Sequence, residues 1–109
     1  MRKGISETAF SSQIESLLKL FQWQWVHMRP ARVLRHGREI YETAYSGHKG
    51  FLDYLCLRPP RIVVIELKDE SKPLTPEQAV WFKIWQECPG VEVYLWRPSD
   101  FDKAMEILQ

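Results

Sequence analysis

The sequence predicts an α/β protein in which a mixed central sheet is flanked by helices, and three observations carry that expectation. Helix-period and strand-period apolar patterns follow one another in the order α-β-β-β-β-α-β-α. Ile62-Val-Val-Ile65 is apolar on both alternating faces, as in a strand at the middle of a sheet covered on both sides. Leu74-Thr-Pro-Glu-Gln78 opens a helix, with Thr75 as N-cap, Pro76 at the first helical position and Gln78 at the reciprocal capping-box position. At 109 residues the chain suits one domain over 1–109.

Each element has its own signal. Ser6 caps a helix running to about Gln22, with Phe10, Ile14, Leu17, Leu18 and Phe21 as its apolar stripe. Trp23 to Met28 alternates polar and aromatic residues and reads as a strand, and an Arg-rich loop then leads to a second, short strand around Glu39 to Tyr45. Gly47 and Gly50 bracket a turn. Phe51–Leu57 and Ile62–Lys68 form a hairpin, because the prolines of Arg58-Pro-Pro-Arg61 cannot pair in a ladder and favour a reversal. The helix opened at Thr75 buries Val80, Trp81, Ile84 and Trp85 and stops at Pro89-Gly90. Val91 to Trp96 alternates as a last strand, and Ser99 caps a final helix with Phe101, Ala104, Met105 and Leu108.

A chain that is 45% hydrophobic and 27% charged is built to fold around a core, which excludes disordered and collagen-like classes. Its longest purely apolar run, Ile62 to Ile65, is far short of the roughly 20 residues a bilayer span needs, and the N-terminus has no signal-peptide core. The expectation is a cytoplasmic protein with no membrane partner. Cys56 and Cys88 are too few for a disulfide framework or a cysteine zinc site, and buried thiols are expected.

The chemistry concentrates at the hairpin. A register centred between Pro59 and Pro60 sets Asp53 opposite Glu66, with Cβ atoms roughly 4.5–5.5 Å apart, where like charges destabilise a sheet. A hard divalent cation between the carboxylates is the economical compensation, and Mg²⁺ typically keeps coordination positions for a substrate phosphate. Strand alternation puts Lys68 on the face of Glu66; the competing reading is a surface ion pair between these two, worth little to stability. Helical phase sets Glu7 roughly 40° from the centre of the first helix's apolar stripe and Glu15 roughly 120° away, so Glu7 can face the sheet. An acid in a first turn is also favoured by the helix dipole alone.

Charge divides along the chain: residues 1–61 carry 10 Lys/Arg against 5 Asp/Glu, residues 62–109 carry 5 against 9. Arg29, Arg32, Arg35 and Arg38 lie in a stretch with no acid, and with Lys49 they are candidate phosphate contacts for a nucleic acid, a solvated basic loop being the alternative. His27, His36 and His48 lack the spacing of a helical zinc pair, and two of them fall in the basic segment. Trp23 or Trp25 could stack on an unpaired base, although packing is the commoner fate of tryptophan.

These residues also carry a resemblance. Gly50-Phe-Leu-Asp53, Ile65-Glu-Leu-Lys68, Leu74-Thr-Pro-Glu-Gln78 with Trp81, and Val93-Tyr-Leu-Trp-Arg-Pro-Ser-Asp100 resemble the VRR-NUC branch of the PD-(D/E)xK nuclease superfamily, especially small stand-alone phage and prophage members. Ser6-Glu7 and Trp25-Val-His27 look like that branch too, so the likeness covers most of the chain. It implies a restriction-endonuclease-like αβββαβ core and Mg²⁺- or Mn²⁺-dependent hydrolysis of DNA phosphodiesters leaving a 5′-phosphate, in a bacterial or phage-infected cell. Asp53, Glu66 and the Leu67 carbonyl would ligate the metal, with Glu7 binding directly or through water. Lys68 would orient or deprotonate the attacking water, and Gln78 matches a glutamine near the family's active site, its capping-box role being the alternative. Minimal members resemble junction resolvases, which implies branched DNA such as Holliday junctions as substrate and a symmetric homodimer. Leu52 stands where the family usually has proline, and since that residue is no ligand, altered turn rigidity is the expected consequence. The competing function is a non-catalytic DNA-binding or regulatory module on a nuclease fold.

Overall fold

The computed structural model describes residues 5–28, 31–35, 37–42 and 46–109, with 31–35 and 39–42 described as backbone only. Helix α1 (Glu7–Leu20) leads to β1 (Gln24–His27), β2 (Ala31–Arg35), β3 (Arg38–Glu42), β4 (Tyr54–Arg58) and β5 (Arg61–Leu67). Helix α2 (Pro76–Gln86), β6 (Val91–Trp96) and, after a 3₁₀ turn at Pro98–Asp100, α3 (Phe101–Leu108) complete the fold. The result is a mixed α/β fold whose four-stranded sheet has the order β1-β4-β5-β6. β1 pairs antiparallel with β4 and β4 with β5, whereas β6 runs parallel to β5, as α2 crosses between them.

The hairpin register is the expected one: Tyr54 pairs Ile65, Cys56 pairs Val63 and Arg58 pairs Arg61 around the two prolines. Strand alternation then divides β5. Val63, Ile65 and Leu67 enter a core shared with Phe10, Ile14, Leu17 and Leu18 of α1 and Ala104 and Leu108 of α3. Val64 and Glu66 face the other way, toward α2. Ser6 caps α1 as expected, its Oγ accepting from the Ala9 N–H at 3.0 Å.

Several expectations are corrected. The Arg-rich segment is not a loop: β2 and β3 pair with each other as a separate two-stranded ribbon, with Arg35 opposite Arg38. A ladder is made by backbone N–H and C=O groups, so the charges do not prevent it. The last residues of the short strand expected to Tyr45 lie outside the described residues. The earlier strand of the hairpin pair begins at Tyr54 rather than Phe51. The stripe of α2 is not buried, since Val80 is 59% and Ile84 50% exposed, with Trp81 and Trp85 half-buried. Cys56 is buried, its thiol pushed up to about 12 by desolvation, whereas Cys88, just past α2, is exposed. Ser99 does not cap α3; the backbone enters through the 3₁₀ turn, where Asp100 accepts from the Arg97 N–H at 2.9 Å. Among the described residues no helix is long and apolar enough to cross a membrane.

Two helix ends are tied together by one side chain. The Arg58 guanidinium donates to the carbonyls of Phe21 at 3.0 Å, Leu108 at 3.1 Å and Gln109 at 3.2 Å, and lies 4.4 Å above the Trp23 ring. A cation at helix C-termini satisfies carbonyls the helices leave unpaired. Arg58→Ala is expected to lower stability by about 2 kcal/mol, the scale of hydrogen bonds from a charged donor. The check is a lower urea midpoint at unchanged slope. Arg58→Lys, which lacks the planar fork, recovers only part of the loss.

Candidate active site

Glu66 is buried, at 2% exposure, near the end of β5. Its Oε1 accepts from the Asp53 N–H at 3.1 Å, which continues the hairpin one step beyond the ladder and brings the two acids together as the register requires. Asp53 in turn accepts from the Leu67 N–H through Oδ2 at 2.9 Å. Lys68, two residues on and on the same strand face, holds its Nζ 3.8 Å from Glu66 Oε2. From α2, Gln78 Nε2 donates to Glu66 Oε2 at 3.0 Å while Gln78 Oε1 accepts from the Thr75 N–H at 3.0 Å. The capping box and the contact to Glu66 are therefore made by the two ends of one side chain.

The approach of α2 depends on a glycine. Gly50 has φ +92, and a Cβ there would stand 2.6 Å from the Glu77 carbonyl carbon and 2.8 Å from the Gln78 nitrogen. The turn thus needs Gly50 both for its backbone conformation and for the space taken by the helix start. Leu52, between this glycine and Asp53, is fully buried, so packing anchors the turn.

Burial sets the electrostatics. Desolvation is the main cause raising Asp53 to about 6, with the charge of Glu7 adding to it and the Leu67 N–H and Lys68 opposing. Glu66 rises to about 8 through desolvation first and the Asp53 charge second, with Lys68 opposing. Two desolvated carboxylates face a single ammonium. Their oxygen donors fit a hard divalent cation, whose charge would offset the repulsion. Glu7 does not close a cage around it: the residue is exposed, and among the described residues no three His, Cys, Asp or Glu side chains are grouped to hold a metal ion.

This electrostatic strain has a measurable consequence. Both folded pKa values lie above the ordinary ones of 3.8 and 4.5, so the stability present at pH 4 and below is lost as pH rises through about 6 and then about 8. Melting temperatures in EDTA are expected to fall by several degrees between pH 5 and pH 8.5. Millimolar Mg²⁺ should restore them most at the alkaline end. A flat profile in EDTA would mean that the pair ionises in the folded protein at no cost.

A pocket of about 290 Å³ opens on the α1 side of Asp53, lined by Glu7, Thr8, Ser11, Ser12, Glu15, His27, Met28 and Asp53. Sequence reasoning missed Glu15 and His27. Glu15 accepts from the Tyr54 hydroxyl at 2.6 Å and stands 3.2 Å from His27 Nδ1, and the His27 ring stacks on Tyr54 at 4.1 Å. Helical phase put Glu15 far from the sheet; the long reach of a tyrosine whose ring is buried and whose hydroxyl emerges under α1 closes the gap. His27 belongs to β1 and not to the basic segment.

Of the candidate nucleic-acid contacts, Arg38 and Lys49 are exposed, Arg32 and Arg35 lie on β2, and Arg29 and the side chains of Arg32 and Arg35 fall outside the described residues. Trp23 is packed in the core, its Nε1 donating to the Leu108 carbonyl at 2.9 Å, which leaves no face for a base. Compared with known proteins, the chain matches no family model, no curated protein and no solved structure.

Proposed function

We propose that this protein is a divalent-metal-dependent DNA endonuclease of the VRR-NUC type, built on a restriction-endonuclease-like αβββαβ core into which the β2–β3 ribbon is inserted. Glu66 carries the reading: a nearly fully buried carboxylate, beside a second one across the hairpin, with a lysine ammonium 3.8 Å away. Such an arrangement costs stability, and a catalytic metal site is what gives it a purpose.

Asp53, Glu66 and the Leu67 carbonyl would hold Mg²⁺ or Mn²⁺, with Glu7 in reach through water. When bound, the cation supplies Lewis-acid polarisation of the scissile phosphate. The Lys68 ammonium orients the attacking water and offsets the negative charge that develops on the phosphoryl oxygens. Gln78 fixes the Glu66 carboxylate, and the Leu67 N–H fixes that of Asp53. Water oxygen bonds to phosphorus while the water gives up one proton to solvent, the P–O3′ bond breaks, and its electron pair leaves on the 3′ oxygen, which takes up one proton. The products are a 5′-phosphate and a 3′-hydroxyl. Branched DNA such as a four-way junction is the proposed preferred substrate, with a homodimer making the paired cuts.

The test is cleavage of labelled duplex, flap, single-stranded and four-way-junction DNA with Mg²⁺, Mn²⁺ or EDTA, using wild type, Glu66→Ala and Lys68→Ala. Metal-dependent cutting lost in both variants supports the reading. Binding with steep salt dependence and no cutting in any metal would replace it with a DNA-binding module.

A further inference from the structure

A second concavity, of about 360 Å³, lies on the α2 side of the molecule and is lined by His48, Lys49, Glu77, Val80, Trp81 and Ile84. Its walls are mainly apolar, and Val80 and Ile84 stay at least half exposed although α2 repeats them at helical spacing. Trp81 is held in place, its Nε1 donating to the Lys49 carbonyl at 2.8 Å, its ring T-shaped against Phe51 at 4.9 Å and 85°, and Trp85 beside it at 6.3 Å. A pre-oriented aromatic beside aliphatic walls is a stacking surface that needs little ordering on binding.

The groove is tied to the candidate active site. Its bank at Lys49 is four residues from Asp53, so the two lie within roughly 14 Å along the chain, about four stacked nucleotides of one strand. We propose that this groove holds one unpaired nucleobase of the DNA strand being cut, a few nucleotides from the scissile phosphate. The proposal rests on the nuclease reading and names what makes it structure-selective. The apolar walls and Trp81 take the face of the base. Lys49 and His48 sit on one bank for the flanking phosphate, and Glu77 offers acceptor oxygens to an amino edge. A fully stacked duplex has no free base to insert, so bulged, flapped or branched DNA is favoured.

Binding is measured in EDTA, where no cleavage step enters, to duplexes carrying 2-aminopurine either paired or in a one-base bulge one to four nucleotides from the mapped cut. The expected result is a fluorescence change for the bulged probe at one position, with bulged DNA bound roughly 10–100-fold more tightly than paired DNA, the range that stacking of one base supplies. Val80→Asp, at a position already 59% exposed and hence tolerant in folding, removes that preference, and Trp81→Leu weakens it. Equal binding of bulged and paired probes by a protein that still cuts DNA overturns the groove and leaves the nuclease standing. Bulge-selective binding by a protein that never cuts does the reverse. If wild type binds no DNA, both fall. If sedimentation shows that copies associate and Val80→Asp separates them, the groove is a self-association surface and the base-binding proposal is overturned.

Discussion

Asp53→Asn is expected to abolish cleavage and, at pH 8 without metal, to make the protein more stable. The amide keeps an oxygen for the Leu67 N–H that now donates to Asp53 at 2.9 Å. What it removes is one of two desolvated negative charges. The Asp53 charge is the second cause, after burial, of the upward push on Glu66, so Glu66 then ionises more easily. The gain is about 1–2 kcal/mol, several degrees in Tm for a chain of this size. It shrinks toward pH 5, where the wild-type pair is largely protonated already. Cleavage falls by at least ~10²-fold, the scale of one lost preorganised electrostatic contribution, because the metal proposed to polarise the phosphate loses a ligand. Mg²⁺ should also lose most of its effect on Tm, since a cation bound only by the folded state stabilises in proportion to its affinity. A variant that melts lower than wild type at pH 8 would show the carboxylate pair to be a net stabilising network, and the strained-site interpretation would go with it.

How far the sequence reached depended on whether local rules determined the outcome. The pairing of Asp53 with Glu66 was legible because two prolines leave few places for the hairpin to turn, and strand period then fixes every partner. The same period put Lys68 beside Glu66, and the capping pattern located the start of α2 to the residue. Amphipathicity, by contrast, says that a helix has an apolar face and not that the same chain covers it. Hence Val80 and Ile84 are expected inside and lie at the surface, lining the groove on the α2 side. The Arg-rich ribbon was misread because charge and a nearby proline suggest a loop, while the ladder between Ala31–Arg35 and Arg38–Glu42 needs only backbone groups and a turn at Gly37. Glu15 and His27 were invisible for another reason. Their meeting point depends on the length of the Tyr54 side chain, a third residue on a third element, and no spacing along the chain encodes it.

Gly50→Ala tests whether the close approach of α2 holds the site together, and it is expected to be among the most damaging single-methyl changes in the molecule. Two costs add. With φ at +92 the backbone sits where L side chains are strained, worth about 1–2 kcal/mol. The new Cβ would also fall 2.6–2.8 Å from the Glu77 carbonyl carbon, the Glu77 Cβ and the Gln78 nitrogen, atoms of a helix start rather than the tip of a flexible side chain. Relief requires moving the first turn of α2, and that turn carries the Gln78 side chain that holds Glu66 at 3.0 Å. A total loss of about 3 kcal/mol or more is expected, by the standards of overpacked positions, together with slower cleavage under conditions where the variant is still folded. Gly90→Ala is the control: its φ is +82, but nothing lies within 4 Å of the added Cβ, so it reports backbone strain alone. It should cost about 1–2 kcal/mol and leave cleavage intact. If the two variants melt alike and cut alike, α2 yields freely at Gly50, and the Gln78 contact to Glu66 does not depend on that glycine.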